Sequence, residues 1–308
     1  MPHETITSLN LNETPSLEKQ IESLESIEVY GGELNVVDLS PEKKKTDVAS
    51  VWLKGWGTTS KIFRDNLISL AETGRRVLAV DNPHGISVEN LTEEEKSKLE
   101  PTSPIELQKI TALLKLLEVK ELEKVDLVTH SEGAIYGVLA AMLRPEKFRS
   151  LVLVDPAGMV GEDNQGRLIK EAVLDIALQI GRIFKKMKNI DWQALSKTLG
   201  ANSDFNRVIA ASPKGTHETI GEISETQIDE ILILLKSLGL KIAIIHGVDD
   251  KFFSMERVQN MTKAKMVDGF YSVQGTHNQV YLHPEKFTKV IDSALDSLES
   301  LSKKDETG

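Results

Sequence analysis

The chain reads as an α/β protein: a mostly parallel sheet with helices on both faces and a helical cap inserted after the sixth strand. Three observations carry that reading. Short, wholly apolar runs such as Val77-Leu78-Ala79-Val80 and Leu151-Val152-Leu153-Val154 recur along the sequence, and strands apolar on both sides belong to a sheet covered on both faces. These runs alternate with amphipathic stretches at helical spacing, the pattern of parallel strands joined by crossover helices. Between Pro156 and about Glu222 the alternation stops and only helical spacing remains.

Taken in order, residues 1–22 form a polar leader. Ile27 to Tyr30 and Leu34 to Leu39, separated by Gly31-Gly32, predict a β-hairpin. Val48 to Leu53 is the third strand, ending in Lys54-Gly55-Trp56-Gly57; Phe63, Leu67, Leu70 and Ala71 mark one helix face, closed by Gly74. Val77 to Val80 ends at Asp81, and a charged loop leads to a helix carrying Ile110, Leu113, Leu114 and Leu117. Val125 to Val128 is the fifth strand and Leu151 to Val154 the sixth, ending at Asp155-Pro156. In the interval that follows, Ile169, Ala172, Val173, Ile176, Ile180 and Ile183 form one apolar stripe, and Trp192, Leu195 and Leu199 a second piece. We assign 157–222 to the cap, and 23–156 with 223–308 to the core. The sheet pattern resumes with a helix face of Ile228, Ile231, Leu232, Leu235 and Leu238, a strand from Lys241 to His246 and another from Phe270 to Val273. A last helix carries Phe287, Val290, Ile291, Leu295 and Leu298.

Composition narrows the function classes. With 308 residues, 40% of them hydrophobic, the chain can bury a large core. A net charge of −10 without a basic stripe argues against nucleic acid or anionic membrane as the main partner. There is no cysteine, hence no disulfide and no thiol nucleophile. No apolar run approaches the 18 or so residues of a spanning helix, and no signal-like segment opens the chain; a cytoplasmic location is the expectation. No His or carboxylate spacing marks a metal site, and neither dinucleotide nor P-loop glycine patterns occur, so no cofactor is expected.

The chemistry concentrates at Thr129-His130-Ser131-Glu132-Gly133. A strand turns sharply here into a helix pattern of Ile135, Val138, Leu139 and Met142. A serine at such an apex has the geometry of a nucleophile elbow, with helix N–H groups behind it for a developing oxyanion. The same placement suits a serine that merely caps the helix, and Thr129 stands where the G-x-S-x-G pattern has its first glycine. A serine hydroxyl needs a base, and the base a carboxylate to orient it. Asp250 follows one later strand and His277 the next, in the chain order Ser, Asp, His.

These features together resemble the α/β-hydrolase superfamily, in particular its cap-bearing, esterase-like branch, from about Val48 to Leu298. Asp81-Asn82-Pro83-His84-Gly85-Ile86-Ser87, His246-Gly247-Val248-Asp249-Asp250, Gly275-Thr276-His277 and His283-Pro284-Glu285-Lys286-Phe287 are each similar to a family segment and stand in the family's order. The resemblance implies a catalytic Ser131, Asp250 and His277, with the backbone N–H groups of Trp56 and Glu132 as oxyanion hole. It places His84 near the pocket mouth. Where the family has His-Gly this chain has Lys54-Gly55. We expect the charges of Lys54 and Glu132, both beside the same hole, to pair or lie close. Asp249 and Asp155 are rival acids, and Asp155-Pro156 is also a natural turn into the cap. His130, His246 and His283 read as structural.

The expected function is cleavage of small-molecule carboxylic esters through an acyl-enzyme, with activity rising as His277 loses its proton near pH 6–7. Lactone hydrolysis and carbon–carbon bond hydrolysis use the same triad. A non-catalytic, ligand-binding hydrolase-like protein is the alternative of another class, suggested by Lys54 and Thr129.

Overall fold

The computed structural model describes residues 15–81 apart from 30, 91–161 apart from 101, and 213–307 apart from 264, with scattered residues between 166 and 210. Eight strands form one sheet in the order β1-β2-β4-β3-β5-β6-β7-β8. They are β1 Glu25–Val29, β2 Gly32–Leu39, β3 Ala49–Leu53, β4 Val77–Val80, β5 Val125–His130, β6 Phe148–Val154, β7 Lys241–Gly247 and β8 Gly269–Val273. The pairs β1–β2 and β2–β4 are antiparallel, and every pair from β4 through β3 to β8 is parallel.

Strand periodicity explains the two cores. Val51, Leu53, Leu127, Leu151, Leu153, Ile242 and Ile244 face one side, with α4 (Pro104–Val119), α5 (Gly133–Leu143) and α7 (Asp229–Ser237). The residues between them, Trp52, Val128, Val152, Val154, Ala243 and Ile245, face the other side, with α2 (Arg64–Glu72) and α10 (Pro284–Thr307). A strand buried on both faces must be apolar at every position, which is why these runs read as continuous.

Two expectations need correction. The charged loop before α4 contains a helix, α3 (Glu93–Lys98), started by a capping box in which Thr92 and Glu95 satisfy each other's backbone N–H. Leu238 does not share the buried face of α7: it lies past the helix end and is exposed, because the turn at Gly239, with φ +96°, redirects the chain. A short helix, α9 (Gln279–Leu282), stands between β8 and α10. Within the cap interval the described residues from 166 to 210, and α6 (Pro213–Glu225), are helical. The apolar stripe from Ile169 to Ile183, Trp192, Leu195 and Leu199 lie outside the described residues, as does the segment from Asn82 to Ser87 with His84.

Candidate active site

At the carboxyl end of β5 the chain folds back on itself at Ser131, whose φ of +54° lies in the left-handed region. A non-glycine residue held there costs roughly 1–3 kcal/mol, so its neighbours must enforce it. The Ser131 N–H donates to the Val154 carbonyl at 3.0 Å, and its own carbonyl accepts from the N–H groups of Ala134 and Ala157 at 3.0 and 3.1 Å. Two glycines make room. A Cβ on Gly133 would meet the Leu53 carbonyl oxygen at 2.7 Å, and one on Gly55 would meet Ser131 Cβ at 2.9 Å.

Thr129, where the pattern has its first glycine, faces a glycine on the neighbouring helix. Thr129 is fully buried, and its methyl occupies space opposite Gly137 on α5, where a Cβ would come within 3.2 Å of it.

Ser131, His277 and Asp250 meet in a hydrogen-bonded line. His277 Nε2 lies 2.9 Å from Ser131 Oγ, and His277 Nδ1 lies 2.9 Å from Asp250 Oδ2. Asp250 Oδ1 accepts from the N–H groups of Phe252 and Phe253 at 2.7 and 3.1 Å, which fixes the carboxylate's orientation. The loops bearing Asp250 and His277 are joined directly, since the Asp249 N–H donates to the Gly275 carbonyl at 2.9 Å. A Cβ on Gly247 would sit 2.7 Å from that same oxygen, so the close approach needs glycine. The His277 ring is flanked by Phe252 at 4.6 Å, Phe253 at 5.3 Å and His130 at 4.9 Å between centroids.

The rival acids are occupied elsewhere. Asp249 turns outward, where its carboxylate accepts from Gln274 Nε2 at 2.6 Å. Asp155 is fully buried with φ +45°; its Oδ1 accepts from the Gly247 N–H at 2.7 Å and lies 3.2 Å from His246 Nδ1. It ties the end of β6 to the end of β7. His246 Nε2 lies 2.7 Å from the Phe253 carbonyl and His130 Nε2 3.2 Å from the His277 carbonyl. Burial, and then the charge of His277, push His130 well below the ordinary imidazole value. His246 is lowered as well, by burial above all, against the pull of Asp250. Both rings are therefore neutral supports.

Around the hole expected from Trp56 and Glu132, Gly55 packs on Ser131 and the half-buried Trp56 follows it. The Glu132 N–H donates to no group among the described residues. The pairing expected between Lys54 and Glu132 is not how their charges are met. The buried Lys54 ammonium is bonded to Asp81, which also accepts from the Ser60 N–H and hydroxyl, both at 2.7 Å. Glu132 is bonded to Lys109, a residue of α4 that sequence reasoning passed over.

Two sets of buried groups, His130–Asp155–His277 and Asp155–His246–Asp250, have their ligand-type atoms within 4.8 Å of one another. Both share members with the Ser131–His277–Asp250 line. No helix among the described residues is long and apolar enough to cross a membrane.

No family model matches the chain. A protein of Mycobacterium phage D29 named "Putative non-heme haloperoxidase" is 25% identical over 267 residues, covering 81% of this chain and 88% of that protein. Among solved structures, a thermophilic esterase from Thermogutta terrifontis superposes with a TM-score of 0.64 at 14% identity, covering 89% of this chain and 99% of its own. The enol-lactonase from Burkholderia xenovorans gives 0.62 at 14% identity, covering 88% and 100%. A bromoperoxidase from Bacillus anthracis gives 0.62 at 18% identity, covering 89% and 100%.

Proposed function

We propose that this chain, which has the α/β-hydrolase fold, is a serine hydrolase of carboxylic esters. The observation that carries the reading is the unbroken line from Ser131 Oγ through the His277 ring to Asp250, with 2.9 Å at each link. It begins on a serine held at φ +54°. A capping serine needs neither that strain nor that partner.

In the mechanism that follows, the Asp250 carboxylate accepts a hydrogen bond from the Nδ1–H of neutral His277, leaving Nε2 free to take the Ser131 proton. Ser131 Oγ attacks the ester carbonyl, and the oxyanion is held by the N–H groups of Glu132 and Trp56. His277 passes the proton to the leaving alcohol as the carbon–oxygen bond breaks. Water, deprotonated by the same ring, then releases the acid and restores Ser131. The substrate is a small-molecule ester.

A second reading draws on the haloperoxidase names of the phage relative and the Bacillus structure. Hydrogen peroxide in place of water would take the acyl group from Ser131 and leave as a peroxyacid. Lactones and carbon–carbon bonds are alternative substrates for the same groups.

The experiment is labelling by a fluorophosphonate, compared between the wild type and Ser131→Ala, followed by turnover of aryl esters of increasing acyl length, lactones, and ester plus peroxide. Labelling of the wild type alone, with ester turnover that Ser131→Ala abolishes, is the expected result. A wild type that does not label is the result a non-catalytic binding protein gives.

A further inference from the structure

Behind the nucleophile, three ionisable side chains are packed out of water. Glu106 is wholly buried, Glu132 is 1% exposed and Lys109 is 8% exposed. Lys109 Nζ lies 2.7 Å from Glu106 Oε1 and is bonded to Glu132 Oε1. The Oε2 of Glu106 and that of Glu132 meet no donor from any other residue, and a proton held on Glu106 is what the two carboxyls can share. The cluster spans two elements: Glu106 and Lys109 are one turn apart on α4, and Glu132 is the residue between the elbow serine and α5. Placing three charge-bearing groups in the core costs several kcal/mol that apolar residues of the same volume would not.

One feature of Glu132 links the cluster to chemistry. Its side chain points to Lys109 while its backbone N–H, bonded to nothing among the described residues, is the oxyanion donor of the proposed reaction. A carboxylate attached to the residue that must receive an oxyanion would repel it in a low-dielectric site. We propose that Lys109 is a positioning residue for acyl transfer: it neutralises the Glu132 carboxylate and pins it to α4, so that the Glu132 N–H meets the oxyanion without an opposing charge. This rests on the serine-hydrolase reading and assigns a role that the triad and the hole alone do not contain.

Glu106 completes the balance. Burial, with Glu132 facing it, raises its carboxyl well above the usual range against the pull of Lys109. Glu106, disposed by this to keep its proton, brings no second charge to Lys109. The other groups facing it are Tyr136 from α5, whose ring lies 5.6 Å from Lys109 Nζ, and Asp81 with its partner Lys54. Asp81, Lys109 and Tyr136 line a cavity of about 10 Å³ between them.

Phosphonylation of Ser131 is the direct readout. The Oγ–P bond forms as P–F breaks, fluoride leaves, the serine proton passes to His277, and the phosphonyl oxygen takes the oxyanion position. The probe is a fluorophosphonate, its second-order labelling rate measured from pH 6 to 9.5 on the full chain. We expect Lys109→Met to label roughly 10- to 100-fold more slowly than the wild type at the alkaline end. Lys109→Met with Glu132→Gln has no carboxylate to strand and lacks the alkaline loss, staying within about threefold of Glu132→Gln alone. Lys109→Gln, which keeps a donor but no charge, is read the same way if Lys109→Met does not fold. A lysine variant that follows the wild type at every pH overturns the proposal, and so does a double variant as slow as the single one, which would mean packing alone. A wild type that does not label overturns the hydrolase reading itself, a separate result.

Discussion

A Cβ on Gly137 would come within 3.2 Å of the Thr129 methyl, and within 2.9 and 3.0 Å of Leu127 Cδ2 and Leu53 Cδ1. The prediction is coupling. Gly137→Ala overpacks the seam against Leu53, Leu127 and Thr129, an effect of roughly 1–3 kcal/mol, against a gain in helix propensity of about 1 kcal/mol. Combined with Thr129→Gly, the loss in urea unfolding should fall short of the sum of the single losses by about 0.5 kcal/mol or more. Simple additivity would dismiss the coupling.

The three candidate acids separate by variant. Asp250→Asn removes the acceptor that sets the His277 tautomer, and turnover should drop roughly 10³- to 10⁴-fold with the fold retained. Asp249→Asn, altered at the surface, should keep wild-type activity. Asp155→Ala should cost about 1–3 kcal/mol of stability, because the Gly247 N–H loses its buried acceptor. Steady-state kinetics and thermal unfolding on the three variants decide among them; an inactive Asp249→Asn would count against Asp250.

Lys54 and Asp81 should respond unequally to substitution. Asp81→Asn leaves a fully buried ammonium without its carboxylate, a loss of about 2–4 kcal/mol. Lys54→Met leaves a carboxylate that is 29% exposed and keeps its bonds from Ser60, so the loss should be the smaller of the two. Chemical denaturation gives the order directly, and equal losses would contradict it.

Acid should unfold the chain through its paired aspartates. Burial alone would raise Asp38, Asp81 and Asp292, yet Arg76 with Lys120, Lys54 with Ser60, and Arg75 with Lys45 more than reverse it, leaving each below the ordinary 3.8. A folded-state value below the unfolded one contributes stability that is present above about pH 4 and lost as pH falls through the folded value. Glu106 has the opposite sign: its raised carboxyl favours the fold below its ordinary 4.5 and loses that contribution as pH rises. Unfolding free energy followed from pH 2 to 8 should therefore show an acid limb that is shallower in Asp38→Asn with Asp292→Asn. A limb identical to the wild type's would assign acid unfolding to other groups.

How much of this was legible in the sequence depends on whether a residue's partner is local. The strands were legible because burial on both faces demands unbroken apolar runs, as in Leu151 to Val154. Ser131, Asp250 and His277 stood out because each ends such a run. The partners of Lys54 and Glu132 did not. A charge on a helix that otherwise reads as apolar, such as Lys109 on α4, looks like a solvated face until the neighbouring strand is placed against it. The i, i+3 pair of Glu106 and Lys109, on the same turn as Ile110 and Leu113, was the available signal. Thr92-x-x-Glu95 likewise announced the helix that was read as loop.

His277 and Ser131 lie 146 positions apart in the chain, and the base sits on the loop that follows the edge strand β8. A growing chain therefore presents its serine long before the group that activates it has been synthesised. In the proposed serine hydrolase, reactivity at Ser131 waits for β8 and the loop after it to dock, and in a refolding or cell-free translation experiment the appearance of probe-reactive serine would time that docking.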